Sequence, residues 1–166
     1  MNTILIATDG SPAAREAVEF GVELAAEHDA AVVLVHVVPR ADLVGMNGFG
    51  LVAAVGAVRH EPNPGDYEAL REAEEIAQEY GVRVRSKLLA GDVSDEIVTY
   101  ADDIRADLTI VGSRGRSGIA CALLGSVSRD VLAESKRPVL VVRGRAAAEA
   151  LVTWAAGGGD RQEVTP

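Results

Sequence analysis

Apolar runs and amphipathic segments take turns along this chain, and that alternation limits the possible folds more than any single residue does. "TILIAT" at 3–8 is a short run of β-formers stopped by Asp9-Gly10-Ser11-Pro12, and "AAREAVEFGVELAAEH" then carries apolar residues at helical spacing. "AAVVLVHVV" has the continuous apolar character of a strand buried on both faces, and "DYEALREAEEIAQEY" is an amphipathic helix. "VRVRSKLL" alternates with period two and so suits an edge. "SDEIVTYADDI" reads as a helix, "ADLTIVG" as a strand, "VSRDVLAES" as a helix and "RPVLVVR" as a last strand. Strands alternating with helices predict an α/β fold: an open five-stranded parallel sheet, covered by helices on both faces because each right-handed crossover carries its helix over the sheet.

Two stretches stand outside this rhythm. Residues 39–64 form a loop rich in Gly, Pro and small apolar residues, long enough to be a candidate lid. Residues 144–166 pass from "AAAEALVTWAA" into "GGGDRQEVTP" and are expected to be a C-terminal extension, a short helix followed by a disordered end. The expected organisation is therefore one domain at 1–143 with an extension at 144–166. The length of 166 residues suits one domain, and a composition 48% hydrophobic but only 4% aromatic suits an aliphatic core.

Charge and cysteine content narrow the class. A formal net charge of -9 without a basic patch argues against binding nucleic acid, whose phosphates would be repelled. Cys121 is alone, so no intramolecular disulfide forms, and "MNTILIATDGSP" lacks the basic start of a signal peptide. No segment reaches the ~18 consecutive apolar residues of a membrane span. The expectation is an intracellular, cytoplasmic protein with no membrane role.

A glycine stretch, "TIVGSRGRSGIACALLGSVSRDVLAE", carries the functional signal. It leaves the fourth strand and enters the fourth helix, at the edge where open α/β sheets bind ligands. Glycines let backbone N–H groups approach a ligand, and a helix N-terminus favours anions such as phosphate. The bland alternative is a long turn with Ser126 or Ser128 capping the helix, although neither starts a capping box. Neither the dinucleotide fingerprint G-x-G-x-x-G nor the G-x-x-x-x-G-K-[ST] loop is present. Asp9 ends the first strand and lies beside the fourth if the strand order is 3-2-1-4-5. There it either holds a ribose or adenine donor or a phosphate-bridging metal, or simply caps the first helix.

Gly112-x2-Gly115-x9-Gly125-Ser126, taken with "ILIATDGS", "VVLVHVV" and "RPVLVV", resembles the universal stress protein family in its ATP-binding class, over roughly residues 3–143. The resemblance implies a Rossmann-like five-stranded parallel fold of order 3-2-1-4-5, a nucleotide held between the first and fourth strands, and a homodimer. By position it implies that Ala7 and Asp9 contact the nucleotide and that Val37 packs near the adenine. Val111, Gly112, Gly115, Gly125, Ser126, Val127 and Ser128 would surround ribose and phosphates, and Arg114 and Arg116 fit the basic positions of the loop. ATP with Mg²⁺ is the expected ligand.

Other residues take plainer readings. His36 is expected to be a packed core imidazole, His28 and His60 lack metal-spaced partners, and Cys121 packs as a small apolar side chain. The acids of "DYEALREAEE" are read as a solvated helix face. No G-x-S-x-G supports a hydrolytic triad, and a phospho-receiver domain would want paired acids after strand one where this chain has one, an aspartate where it has "LLAG" and a lysine where it has Arg143. The expected function is an ATP-binding stress-response regulator, a nucleotide-dependent dimer with little or no turnover. The alternative is a slow ATPase or autophosphorylating enzyme using the same site. The last strand is an apolar edge, which predicts a homodimer paired through 139–142, with the chain's own tail as the competing cover. No downstream protein partner is legible.

Overall fold

A computed structural model of the chain describes residues 1–39, 44–46, 52–54, 64–113 and 124–143. β1 (Thr3–Ala7) feeds α1 (Pro12–Glu27), whose Ser11 hydroxyl caps the helix by accepting the Ala14 N–H at 3.2 Å while Pro12 occupies the first turn. β2 (Ala31–Pro39) follows, and then β3 (Val44–Met46) and β4 (Val52–Ala54), which pair antiparallel in a separate two-stranded ladder. Residues 39–64 therefore contain a short ladder where the sequence suggests only a loop. Small aliphatics in runs of three carry too little periodicity to separate the two. Whether the segment acts as a lid lies outside the described residues, as does the extension at 144–166.

α2 (Pro64–Glu79), β5 (Val84–Gly91), α3 (Val93–Asp103), β6 (Leu108–Gly112), α4 (Ser126–Glu134) and β7 (Val139–Val142) complete the chain. The main sheet is parallel in the order β5-β2-β1-β6-β7, which is 3-2-1-4-5 when its own strands are counted. Winding thus reverses between β1 and β6.

Strand periodicity divides the core in two. Ile4, Ile6, Val32, Leu34 and Ile110 face α1 and α2, where they meet Val18, Val22, Leu70 and Ile76. Leu5, Val33, Val35, Val37 and Val111 face α3 and α4 and pack on Ile97, Ala101 and Val131. Each fully buried Leu or Ile contributes about 1.5–3 kcal/mol relative to exposure. The start of the sheet is tied by Asp107, whose carboxylate accepts the N–H groups of Asn2 (2.6 Å) and Thr3 (3.0 Å). Those backbone donors hold the Asp107 carboxyl below its ordinary range.

Thr109 in β6 breaks the apolar pattern. It pairs with Leu5 and Val139, is fully buried, and its Oγ1 has no hydrogen-bond partner among the described residues. A buried hydroxyl without a partner costs more than the methyl that would replace it. Thr109→Val is expected to stabilise the fold by about 1 kcal/mol, read as a higher urea midpoint at unchanged m-value; a lower midpoint would show that the hydroxyl is satisfied.

The two edges differ. β5 exposes Arg85, Ser86 and Lys87, the polar edge expected from its alternation, whereas all four residues of β7 are aliphatic and half-buried.

Candidate functional site

The carboxyl ends of β1, β2 and β6 open onto a crevice of about 330 Å³ at the point where winding reverses. Local chemistry shapes its β1 wall. The Thr8 N–H donates to the Val35 carbonyl (2.9 Å), and the Thr8 Oγ1 accepts the Gly10 N–H (3.2 Å). Gly10 sits at φ +75°, a conformation that glycine adopts without the clash a Cβ would bring. The Asp9 Oδ1 accepts the Ser11 N–H at 3.0 Å, so Asp9 braces the turn while Ser11 caps α1. The simple capping role considered for Asp9 is therefore filled by its neighbour. The half-buried Asp9 lines the crevice instead.

The opposite wall is the start of α4. Gly125 occupies the N-cap position at φ −68° and ψ 163°, and no side chain caps the helix. The alternative in which Ser126 or Ser128 does so is overturned by the hydrogen bonding. The buried Ser128 hydroxyl donates to the carbonyls of Gly125 (3.1 Å) and Ser113 (3.3 Å), and the Gly125 N–H donates to the same Ser113 carbonyl at 2.8 Å. These bonds cinch the base of the glycine loop. The first helical bond runs from the Arg129 N–H to the Gly125 carbonyl, so the amides of Ser126, Val127 and Ser128 precede the intrahelical ladder at the crevice wall.

Gly112 has a packing reason as well as a place in the crevice. A Cβ there would lie 3.0 Å from the Ala13 carbonyl oxygen and 3.2 Å from the Ala14 nitrogen, so β6 meets the first turn of α1 backbone to backbone. At α3, the Asp92 carboxylate accepts the N–H groups of Asp95 and Ser94, and it lies below its ordinary range through those bonds and the Ser94 hydroxyl. That cap fixes Val93, which also borders the crevice.

The fold brings Ala7, Asp9, Val37, Val111, Gly112, Gly125, Ser126, Val127 and Ser128 to this one crevice, although they come from four separate segments. Arg114 and Gly115, like Arg116 and Cys121, lie outside the described residues. Thr8, Val35, His36, Pro39, Asp66 and Val93 also line it and carry no functional signal in the sequence. One reading needs correction, and a second is extended. Asp66 is not on the solvated face of its helix, as Glu68, Glu72 and Glu75 are; it is buried in the first turn of α2 with Oδ1 3.5 Å from the His36 Nε2. His36 is buried as expected, but it borders the crevice and its Nδ1 bonds the Thr8 carbonyl at 2.7 Å. Among the described residues no group of three His, Cys, Asp or Glu is placed to hold a metal ion, and no helix is long and apolar enough to cross a membrane.

The result is an apolar slot of Ala7, Val37, Val111 and Val127 with an acceptor at Asp9 and backbone donors at α4, suited to a flat apolar group carrying donors and joined to an anion. The profile of the Universal stress protein family matches residues 1–143. This chain belongs to that family. Universal stress protein MJ0531 of Methanocaldococcus jannaschii is 35% identical over 140 residues, 84% of this chain and 81% of that protein. Universal stress protein YxiE of Bacillus subtilis is 34% identical over 146 residues, covering 86% and 99%. Among solved structures, MJ0577 of M. jannaschii superposes with a TM-score of 0.68 at 29% identity, covering 86% of this chain and 95% of that one. A universal stress protein in complex with cAMP superposes with a TM-score of 0.61 at 30% identity, covering 85% and 95%.

Proposed function

We propose that this universal stress protein is an ATP-binding regulator of the stress response, a homodimer that turns over little or no nucleotide. The observation that carries the reading is the crevice itself. Apolar walls suit a purine, the acceptor at Asp9 suits its amino group or the ribose hydroxyls, and the α4 start without a side-chain cap suits phosphate. The relative solved with cAMP adds support, since that ligand too joins adenine to phosphate. Mg²⁺ enters with the triphosphate, which supplies its oxygen ligands.

Slow turnover is the expectation because phosphoryl transfer wants carboxylates directed at a metal and a positioned nucleophile. Asp66, the second acid of the crevice, is directed at His36. Titration with MgATP by calorimetry is expected to give one site per chain, and phosphate release is expected to stay below about 1 s⁻¹. Absence of binding would overturn the site, and a faster rate abolished by Asp9→Asn would make the protein an enzyme.

A further inference from the structure

We infer that His36 is a positioning residue for the ligand site, holding the turn that carries Asp9 in its binding geometry through the Thr8 carbonyl. The inference rests on the nucleotide reading of the crevice and adds a residue to it. Within the β1–α1 turn, Thr8 Oγ1 accepts the Gly10 N–H and Asp9 Oδ1 the Ser11 N–H. The Thr8 N–H continues the sheet to Val35. The Thr8 carbonyl is held by a side chain from another strand: the His36 Nδ1 lies 2.7 Å from it, with both residues buried.

A carbonyl only accepts, so Nδ1 carries a proton and donates. Nε2 then faces the Asp66 Oδ1 at 3.5 Å, and Asp66 is itself buried at the start of α2. The imidazole is thus bonded to β1 through Nδ1 and approached at Nε2 by the α2 carboxylate. A histidine that only filled space in β2 would need neither contact, and Leu would fill it with no polar atoms to satisfy. Because peptide Thr8–Asp9 is planar, fixing the Thr8 carbonyl also fixes the Asp9 N–H and the position of the Asp9 Cα from which its side chain leaves. His36 and Asp66 are therefore expected to act on the ligand through the turn.

The test compares His36→Leu, His36→Asn and Asp66→Asn. The Asn side chain places an amide donor where Nδ1 stands, and Leu cannot donate. His36→Leu is expected to weaken MgATP binding about tenfold, and His36→Asn to recover it to within about threefold. Asp66→Asn removes the carboxylate beside Nε2 and leaves the Nδ1 bond to Thr8, so its affinity is expected to fall between those of the parent and His36→Leu. Amide shifts of Asp9 to Ser11, recorded without nucleotide, are expected to move in His36→Leu and return in His36→Asn, and ¹⁵N spectra of the parent should show a protonated Nδ1. Leu binding as well as the parent while Asn binds worse would overturn the inference, since packing alone predicts that order. A bare Nδ1, or unmoved turn amides, would overturn it independently. If the parent protein binds no MgATP, the nucleotide reading falls, and the amide comparison still decides whether His36 holds the turn.

Discussion

Gly125→Asp is expected to make the protein more stable and nearly unable to bind MgATP. Gly125 already has N-cap backbone angles, φ −68° and ψ 163°, that aspartate adopts without strain, and no side chain caps α4. A carboxylate at that position accepts the N–H groups of the first turn and opposes the positive end of the helix dipole. That is worth about 1 kcal/mol and about 2–4 °C in melting temperature for a chain of this size. The same carboxylate occupies the donors proposed to receive phosphate and sets a negative charge against the polyphosphate. Affinity is expected to fall at least about 100-fold, the equivalent of roughly 2.7 kcal/mol. Stability and binding moving in opposite directions cannot come from damage to the fold. Affinity within threefold of the parent would place the phosphates elsewhere.

Val141→Pro is expected to convert the proposed homodimer to a monomer of 17.3 kDa in light scattering. In the β6–β7 ladder the Pro138 carbonyl accepts from the Thr109 N–H and the Val142 carbonyl from the Ser113 N–H. Parallel pairing alternates with period two, so Pro138, Leu140 and Val142 point their backbone groups at β6. Val139 and Val141 then point theirs outward. Proline at 141 removes an outward donor and leaves the bonds to β6 intact, so the sheet persists while pairing with a second copy loses its register. The half-buried aliphatic β7 stands in contrast to β5, which guards its own edge with Arg85 and Lys87. A parent protein that is monomeric, or a proline variant that stays dimeric, would show that β7 is covered in another way.

Elements with a strong hydrophobic period are legible in the sequence alone. The five strands of the sheet and four helices fall where alternation and spacing place them, with ends shifted by a residue or two. The apolar run of β2 and the period-two pattern of β5 also announced which strand lies inside and which at an edge. The ladder of β3 and β4 was not legible, since three-residue strands bury no face and leave no period.

The site divides along the same line. Asp9, Gly112, Gly125 and the serines after it stand out because strand ends, glycine spacing and a helix start are local features, and the strand order then brings the segments together. His36 and Asp66 are 30 residues apart, one in an apolar strand and the other in a run of acids, and neither carries a local mark. Their pairing depends on which face of β2 is covered by α2 and on the first turn of that helix reaching the carboxyl edge of the sheet. The capping of α4 shows the same limit. The sequence offers two serines able to cap, and only the approach of the Ser113 carbonyl to Ser128 decides that this hydroxyl is directed elsewhere. What the sequence by itself determined was the order of elements, the two faces of the core and the edge at which a ligand site forms, because these follow from periodicity and chain direction. The partner of each polar group in that site was decided by the tertiary structure, because a hydrogen bond is made over about 3 Å between atoms that the chain holds far apart until it folds.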